Sequence, residues 1–381
     1  MKVVRTISRI LVGLVFIFSG FVKAVDPWGT AIKFHDYFVA MGIEGLMPYA
    51  FALAVLMIVA EFIIGCSLFF NIKVKWGAWG AFLFLCLFTP ITLWLAITNS
   101  VSDCGCFGDA VTLSNWQTFF KNVILILLAI FIVWQRKGFK QKISPVMQWN
   151  IVGIFTIFIG FIIGYSYVHL PIIDFLPCKE GTHLPDLMTA PKDAPRDEYA
   201  QIITLKDTIT GKQIDIDVNT YTNDSNYWKT GTKYKYISIS EPKLIKKGYI
   251  TPIHDFNIFD ENNNNYIDTV LQYKGYAFLF VSPKIENAST KNIDRIKSLY
   301  ALSIKQNYKF FALTASLKQN IDTFIIKHNI PFSFYMCDET TLETMVRSNP
   351  GLILIKNGTV IKKWSYFDFP DETDIEKITS K

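Results

Sequence analysis

The sequence predicts a membrane α-helical bundle of about five transmembrane helices followed by an α/β domain on the extracytoplasmic side. Three observations predict it. Five apolar stretches, near 7–25, 47–70, 77–98, 118–134 and 147–169, approach or exceed the roughly 20 helical residues that a hydrocarbon core requires. Near residue 169 the composition changes from Phe, Ile, Leu, Val and Trp to the Lys, Asp, Asn and Thr content of a soluble protein. From Tyr276 onward, short apolar runs alternate with amphipathic helical stretches. The 381 residues then divide into four parts: 1–135 with four spans, 136–169 with the fifth, 170–249 as a linker and small β-rich insert, and 250–381 as the α/β domain.

The first span follows Lys2, Arg5 and Arg9, as a signal peptide would, but no Ala-x-Ala-like site follows it and the chain returns at once to apolar sequence, which predicts an uncleaved helix. The net charge of +6 resides in the membrane half, where 12 Lys and Arg face 6 Asp and Glu, against 26 and 26 in the remainder. It is therefore a topology signal. No basic face with interleaved aromatics accompanies it, which excludes nucleic acid and leaves the lipid bilayer as the partner.

Positive residues beside a span are retained in the cytoplasm. The N-terminus carries three, the 72–76 loop Lys73 and Lys75, and the loop after the fourth span Arg136, Lys137, Lys140 and Lys142, with no acidic residue in any of them. The opposite loops carry Asp26, Lys33, Asp36 and Glu44, and then Asp103 and Asp109. The alternation predicts an inner-membrane protein with a cytoplasmic N-terminus and residues 170–381 in the periplasm.

In the α/β domain, Ala277–Val281 reads as a buried strand, 291–306 as a helix, Phe310–Thr314 as a strand, 317–328 as a helix, 332–336 as a strand and 340–347 as a short helix. Asn349-Pro350-Gly351 follows, and 352–356 and 360–364 around Asn357-Gly358 form a hairpin. This succession resembles the second half of a thioredoxin fold, and the Pro252–Phe256 run with the polar turn 260–265 resembles the N-terminal hairpin of membrane-tethered relatives. The resemblance implies a cis Pro350 beside the family's active site, and so a binding position there. It also implies a Cys-x-x-Cys after the 277–281 strand, where this chain has Ser282-Pro283-Lys284-Ile285. Without a low-pKa thiol at that position the domain is a binding or structural version of the fold, with no dithiol exchange there. Cys337, at the end of the 332–336 strand, is expected to be a lone buried cysteine. Between membrane and domain, strands are expected near 200–205, 213–218 and 234–240, with 185–198 as a linker.

The strongest local signal is Asp103-Cys104-Gly105-Cys106-Phe107-Gly108-Asp109, between the third and fourth spans. Two cysteines around one glycine in an oxidising compartment can form a tight, exchangeable disulfide. A structural clip and a metal site are the competing readings, although no Cys/His pair completes a zinc spacing. Glu61 lies mid-span, where a carboxylate costs about 2.5–3.5 kcal/mol, so it is expected inside the bundle, either as a functional group or as a neutral carboxyl bonded to a neighbouring helix. Cys66 and Cys86 read as packing residues, and Gly13, Ser19 and Gly20 as sites of close helix approach. Lys23 either snorkels or pairs with an acid, and is a candidate binding residue. Cys178, nine residues beyond the last span, is near enough to the membrane face for a relay with the loop pair.

Phe18-Ser19-Gly20-Phe21-Val22-Lys23, Asp26-Pro27, Glu61 and Cys-Gly-Cys-Phe-Gly together resemble the DoxX and MauE membrane families over about residues 5–135. The resemblance implies a four-helix membrane bundle. It also implies an association with respiratory quinone chemistry, as in DoxX, or with disulfide-dependent maturation of an exported dehydrogenase, as in MauE. Two functions follow as expectations. One is a membrane thiol oxidoreductase, similar in logic to the DsbB and vitamin K epoxide reductase bundles, with Cys104, Cys106 and Glu61 as catalytic residues, a quinone as cofactor, and an exported protein or respiratory component as partner. The other is a non-enzymatic anchor or assembly factor whose thioredoxin-like domain binds an exported protein.

Overall fold

The computed structural model describes all residues except Met1, Arg196, Lys247, Ile250, His254, Asp255 and Lys381. The chain forms two units, residues 1–184 with 255–381, and residues 185–254.

Six helices build the membrane part: α1 (Lys2–Val25), α2 (Pro27–Ala40), α3 (Ala50–Phe69), α4 (Val74–Thr98), α5 (Asn115–Trp134) and α6 (Pro145–Val168). All but α2 belong to segments long and apolar enough to cross a membrane. Polar caps set several of their starts. Asp26 caps α2 ahead of Pro27, Ser144 caps α6 ahead of Pro145, and Ser114 with Gln117 makes a capping box on α5. The α2 helix occupies most of the 26–46 segment between the first two spans.

Helices α1 and α3 lie at the centre because glycine lets their backbones touch. A Cβ on Gly20 would stand 2.8 Å from the Phe62 nitrogen, and one on Gly65 only 2.5 Å from the Ile17 nitrogen. On one side Val12, Phe16 and Leu68 pack against Ala78, Ala81, Leu125 and Ala129 of α4 and α5. On the other, Ile58, Phe62 and Cys66 pack against Ile159, Ile162 and Ile163 of α6. At the α3 terminus the buried Arg9 guanidinium donates to the carbonyls of Leu68 and Phe69, in the last turn where carbonyls lack the regular i+4 donor. The outward faces carry Leu83, Leu87, Ile124, Leu127, Ile157 and Phe161, all exposed, as lipid contact requires. Cys66 is buried as expected, but Cys86 is exposed on α4, so it faces outward rather than packing inside.

After α7 (Leu184–Met188), the unit of residues 185–254 holds β1 (Glu198–Ala200), β2 (Ile202–Asp207), β3 (Gln213–Asp217), α8 (Val218–Asn223), β4 (Tyr234–Ile239) and β5 (Lys243–Lys246). These make two antiparallel sheets, β3-β2-β4 and β1-β5.

The C-terminal domain runs α9 (Ile267–Leu271), β6 (Tyr276–Ser282), α10 (Ile293–Lys305), β7 (Lys309–Thr314), α11 (Lys318–His328), β8 (Phe334–Met336), α12 (Glu339–Met345), β9 (Gly351–Lys356), β10 (Thr359–Ser365) and α13 (Glu372–Thr379). Its sheet order is β10-β9-β6-β7-β8, with β6, β7 and β8 parallel and the β9–β10 hairpin antiparallel to them. Residues 277–281 of β6 are fully buried on both faces, which is why this strand reads as a continuous apolar run. Phe278 and Phe280 pack under α10, α11 and α13, each burial stabilising by about 2 kcal/mol. Asn357 and Gly358 both take positive φ, as a two-residue hairpin turn requires. The Asn349–Pro350 bond is cis, as the thioredoxin resemblance implies, and the domain is thioredoxin-like. Of the Pro252–Phe256 run, His254 and Asp255 lie outside the described residues; beyond it, Phe259 pairs with both Asn265 and Met336.

Candidate functional site

The loop between α4 and α5 is fastened at several points. The Asn115 amide donates to Asn99 Oδ1 at 3.1 Å and to the Val101 carbonyl at 2.9 Å, which anchors the loop's start. Asp103 accepts from the Gly105 nitrogen at 2.8 Å and pairs with Lys33 of α2 at 2.8 Å. Gly105 has φ +63°, and a Cβ there would stand 3.0 Å from Lys33, so both conformation and space call for glycine. The Tyr37 hydroxyl, also on α2, donates to the Cys104 carbonyl, while Ser19 Oγ of α1 donates to the Cys106 carbonyl at 2.6 Å.

This fastening brings the sulfurs of Cys104 and Cys106 to 3.0 Å, with Cys104 buried and Cys106 partly exposed. Both are thiols in this structure. The Cys104 thiol hydrogen bond holds Cys106 below the ordinary thiol range, helped by Lys121 and Lys23 and opposed by burial. Cys104 is pushed well up by the same hydrogen bond, by burial and by the charge on Cys106. Burial, and then the charge of Cys104, also raises Tyr37. The pair is therefore asymmetric. Cys106 is the more acidic member, and Cys104 the more enclosed one.

Directly beneath, Lys23 of α1 and Glu61 of α3 form an ion pair at 2.8 Å, each side chain 6% exposed. Lys23 also donates to Ser19 Oγ at 2.9 Å, so hydrogen bonds run from Glu61 through Lys23 and Ser19 to the Cys106 carbonyl. The close approach of α1 and α3 makes the pair possible. A pocket joins these groups to apolar walls from Phe16, Phe84, Phe88 and Leu125. Lys121 of α5 also lines it and lies 4.4 Å from the centre of the Phe107 ring.

Residues 1–135 match the family of the methylamine utilisation protein MauE. No curated protein matches the chain. The chain is also similar to a solution structure described as a candidate protein disulfide isomerase from Bacteroides thetaiotaomicron. That likeness has 9% identity and a TM-score of 0.26, and covers 34% of this chain and 87% of that one.

The loop of the MauE-like region is also held by the C-terminal domain. Arg347, just after α12, meets Asp26 Oδ2 at 2.8 Å and Asp109 Oδ2 at 2.7 Å, with its own side chain 9% exposed. Burial raises the Asp109 carboxyl, and Arg347 opposes the rise. Burial alone would lower Arg347, but the two aspartates outweigh it and hold it above the ordinary guanidinium range. Sequence reasoning missed Arg347, Lys33, Tyr37 and Lys121. One signal was present: the 99–117 loop holds two aspartates and no cation, so their counter-charge had to come from elsewhere.

At the thioredoxin-like position without cysteines, Ser282 Oγ donates to Asn349 Oδ1 at 2.7 Å, and Asn349 Nδ2 donates to the Lys284 carbonyl at 2.7 Å. Neutral hydrogen bonds thus tie the segment to the loop of the buried Pro350. This face is turned to the MauE-like region, where Pro283, Lys284 and Asn349 share a cleft with Trp28, Ile32 and Asp36 of α2. Cys178 is fully buried near Lys363 and Asp174, and does not line the pocket of Cys104 and Cys106. Cys337 is buried as well. Burial pushes both thiols up to about 12.

Proposed function

We propose that this chain is an inner-membrane thiol–disulfide module whose working pair is Cys104 and Cys106, with the N-terminus in the cytoplasm and the thioredoxin-like domain in the periplasm. One observation carries the reading: two thiols 3.0 Å apart, unequal in burial, stand over a buried Lys23–Glu61 pair in a membrane pocket. In the oxidised form a thiolate of an exported protein attacks the sulfur of Cys106, the less buried residue of the two. The Cys104–Cys106 bond breaks and Cys104 leaves as the thiolate, taking a proton. A second thiolate of the partner then attacks its own sulfur in the mixed disulfide, giving the partner's disulfide and releasing Cys106. The net change is oxidation of a partner dithiol and two-electron reduction of the loop pair.

Reoxidation needs a two-electron acceptor. A quinone would supply that capacity; the aromatic and aliphatic walls and the polar groups Lys23, Ser19 and Asn122 match its chemistry, while the cavity, about 50 Å³, would have to open to take its ring. Within the protein, Lys23 and Ser19 orient the Cys106 backbone, and Glu61 holds the Lys23 side chain in place. The name of the matching family, methylamine utilisation protein, joins the reading only as a setting in which an exported enzyme would be the partner. A second reading keeps the chain as a non-enzymatic anchor that presents its thioredoxin-like domain to an exported protein. It is favoured by Ser282-Pro283-Lys284-Ile285 standing where redox cysteines would be. Thiol trapping in native membranes, with and without quinone, separates the two. The redox reading expects the Cys104–Cys106 pair to be oxidised when quinone is present and reduced when it is depleted; a pair that stays in one state throughout supports the anchor.

A further inference from the structure

We infer that Arg347 makes the thioredoxin-like domain a clamp in cis on the redox loop, as a positioning residue that holds the Cys104–Asp109 segment and the start of α2 in one arrangement. The inference rests on the reading of Cys104 and Cys106 as a redox pair. Asp103 at the start of the loop and the Cys106 carbonyl are held from within the bundle, by Lys33 and Ser19. Asp109, three residues beyond Cys106, is held by Arg347, which reaches it across 238 residues of sequence. The same guanidinium holds Asp26, whose other oxygen caps α2 through the Gly29 nitrogen at 2.9 Å. Helix α2 in turn supplies Lys33 and Tyr37, the two side chains that fix Asp103 and Cys104. One cation therefore governs both ends of the cysteine segment, one directly and one through α2.

Electrostatics makes the arrangement conditional on that cation. Asp26 and Asp109 converge on Arg347, and Asp26 itself raises the Asp109 carboxyl. Without the guanidinium, two carboxylates would share a poorly hydrated site, and the loop, the more weakly fastened partner, would move to hydrate Asp109. A planar guanidinium can meet both at once through separate nitrogens, Nε and Nη2, which a lysine cannot do. The placement also accounts for a thioredoxin-like domain without redox cysteines. The Ser282–Ile285 segment and the loop of Pro350 adjoin the α2 cleft, and the residue that reaches the redox loop stands just before that proline.

The test uses the full chain in lipid nanodiscs, with two readouts. The first is the rate at which a water-soluble maleimide alkylates reduced Cys106 in a Cys104→Ser background. The second is the equilibrium of the Cys104/Cys106 pair against glutathione. Arg347→Gln and Asp109→Asn should each speed alkylation at least tenfold, and the double variant should be no faster than either alone. Both should shift the equilibrium at least tenfold, which is about 30 mV for a two-electron couple. Arg347→Lys, which keeps the charge and three donors but places them on a single nitrogen, should recover at least half of each effect on a logarithmic scale. Asp109→Asn leaves the thioredoxin-like domain untouched, so it decides the matter even where an Arg347 variant folds poorly. Alkylation within twofold of the parent in Asp109→Asn, or no recovery by Arg347→Lys in a folded protein, would overturn the clamp. A parent pair that never titrates against glutathione would remove the redox reading instead, and the alkylation rates would still decide whether Arg347 holds the loop.

Discussion

Replacing Glu61 by Gln leaves the Lys23 ammonium buried without its counter-charge, with only neutral acceptors, Ser19 Oγ at 2.9 Å and the new amide oxygen. Two unit charges 2.8 Å apart attract by roughly 6 kcal/mol at an effective dielectric constant near 20. Most of that attraction offsets the cost of taking both charges out of water. Removing one partner exposes the other's desolvation cost, and breaking such a pair typically destabilises by about 3–5 kcal/mol. Lys23→Met should cost a similar amount. The double variant Lys23→Met/Glu61→Gln removes both charges and should be much milder than the sum, with a coupling of at least about 2 kcal/mol. Unfolding of the full chain in detergent, followed by near-ultraviolet dichroism, measures all four corners of the cycle. Single effects that add within about 0.5 kcal/mol would refute the claim that the two charges support one another.

Other outcomes follow from the same structure. Burial, reinforced by Glu339, pushes Glu343 up to about 7 from an ordinary 4.5, so the folded chain binds this proton more tightly than the unfolded chain. Stability should then fall as pH rises from about 4.5 through 7, by up to about 3 kcal/mol at roughly 1.4 kcal/mol per pH unit. Glu343→Gln should abolish that loss, so thermal unfolding of variant and parent should coincide near pH 4.5 and diverge by pH 8; parallel profiles would refute the assignment. Gly65→Leu should separate α1 from α3, and with them Lys23 from Glu61; a variant as stable as the parent would contradict their backbone contact, since a Cβ there would lie 2.5 Å from the Ile17 nitrogen. A reporter fused after Lys381 should be active only in the periplasm, and one fused within 137–142 only in the cytoplasm, with the reverse pattern refuting the topology.

The spans are legible because apolar length and the placement of Lys and Arg are local signals. The lateral pairing of those spans is not local. Glu61 stands out as a mid-span carboxylate and Lys23 as a cation able to pair with an acid. Their meeting depends on α1 and α3 touching through Gly20 and Gly65, a contact set by packing between segments 38 residues apart. Helix α2 was written in Asp26-Pro27, an N-cap followed by proline at the first helical position. Charged residues spread through 26–46 masked that signal and favoured a loop. The hairpin 351–365 was readable from Asn357-Gly358, because turn chemistry resides in adjacent residues, whereas the cis Pro350 was implied by the thioredoxin resemblance. The cysteine loop announced itself by spacing, but its asymmetry did not. That arises first from the hydrogen bond between the two thiols and the burial of Cys104, with Lys121 of α5 lowering Cys106 from another helix.

The central claim is that Cys106 is the exchanging sulfur and Cys104 its enclosed partner. The most direct measurement is recovery of mixed disulfides from native membranes carrying Cys104→Ser, against Cys106→Ser and the double variant. The account predicts a covalent adduct between Cys106 and an exported protein in Cys104→Ser, dissolved by reductant, with at least tenfold less from Cys106→Ser and none from the double variant. An adduct that forms through Cys104 alone, or Cys104→Ser and Cys106→Ser cells that stay fully active without any adduct, would contradict it.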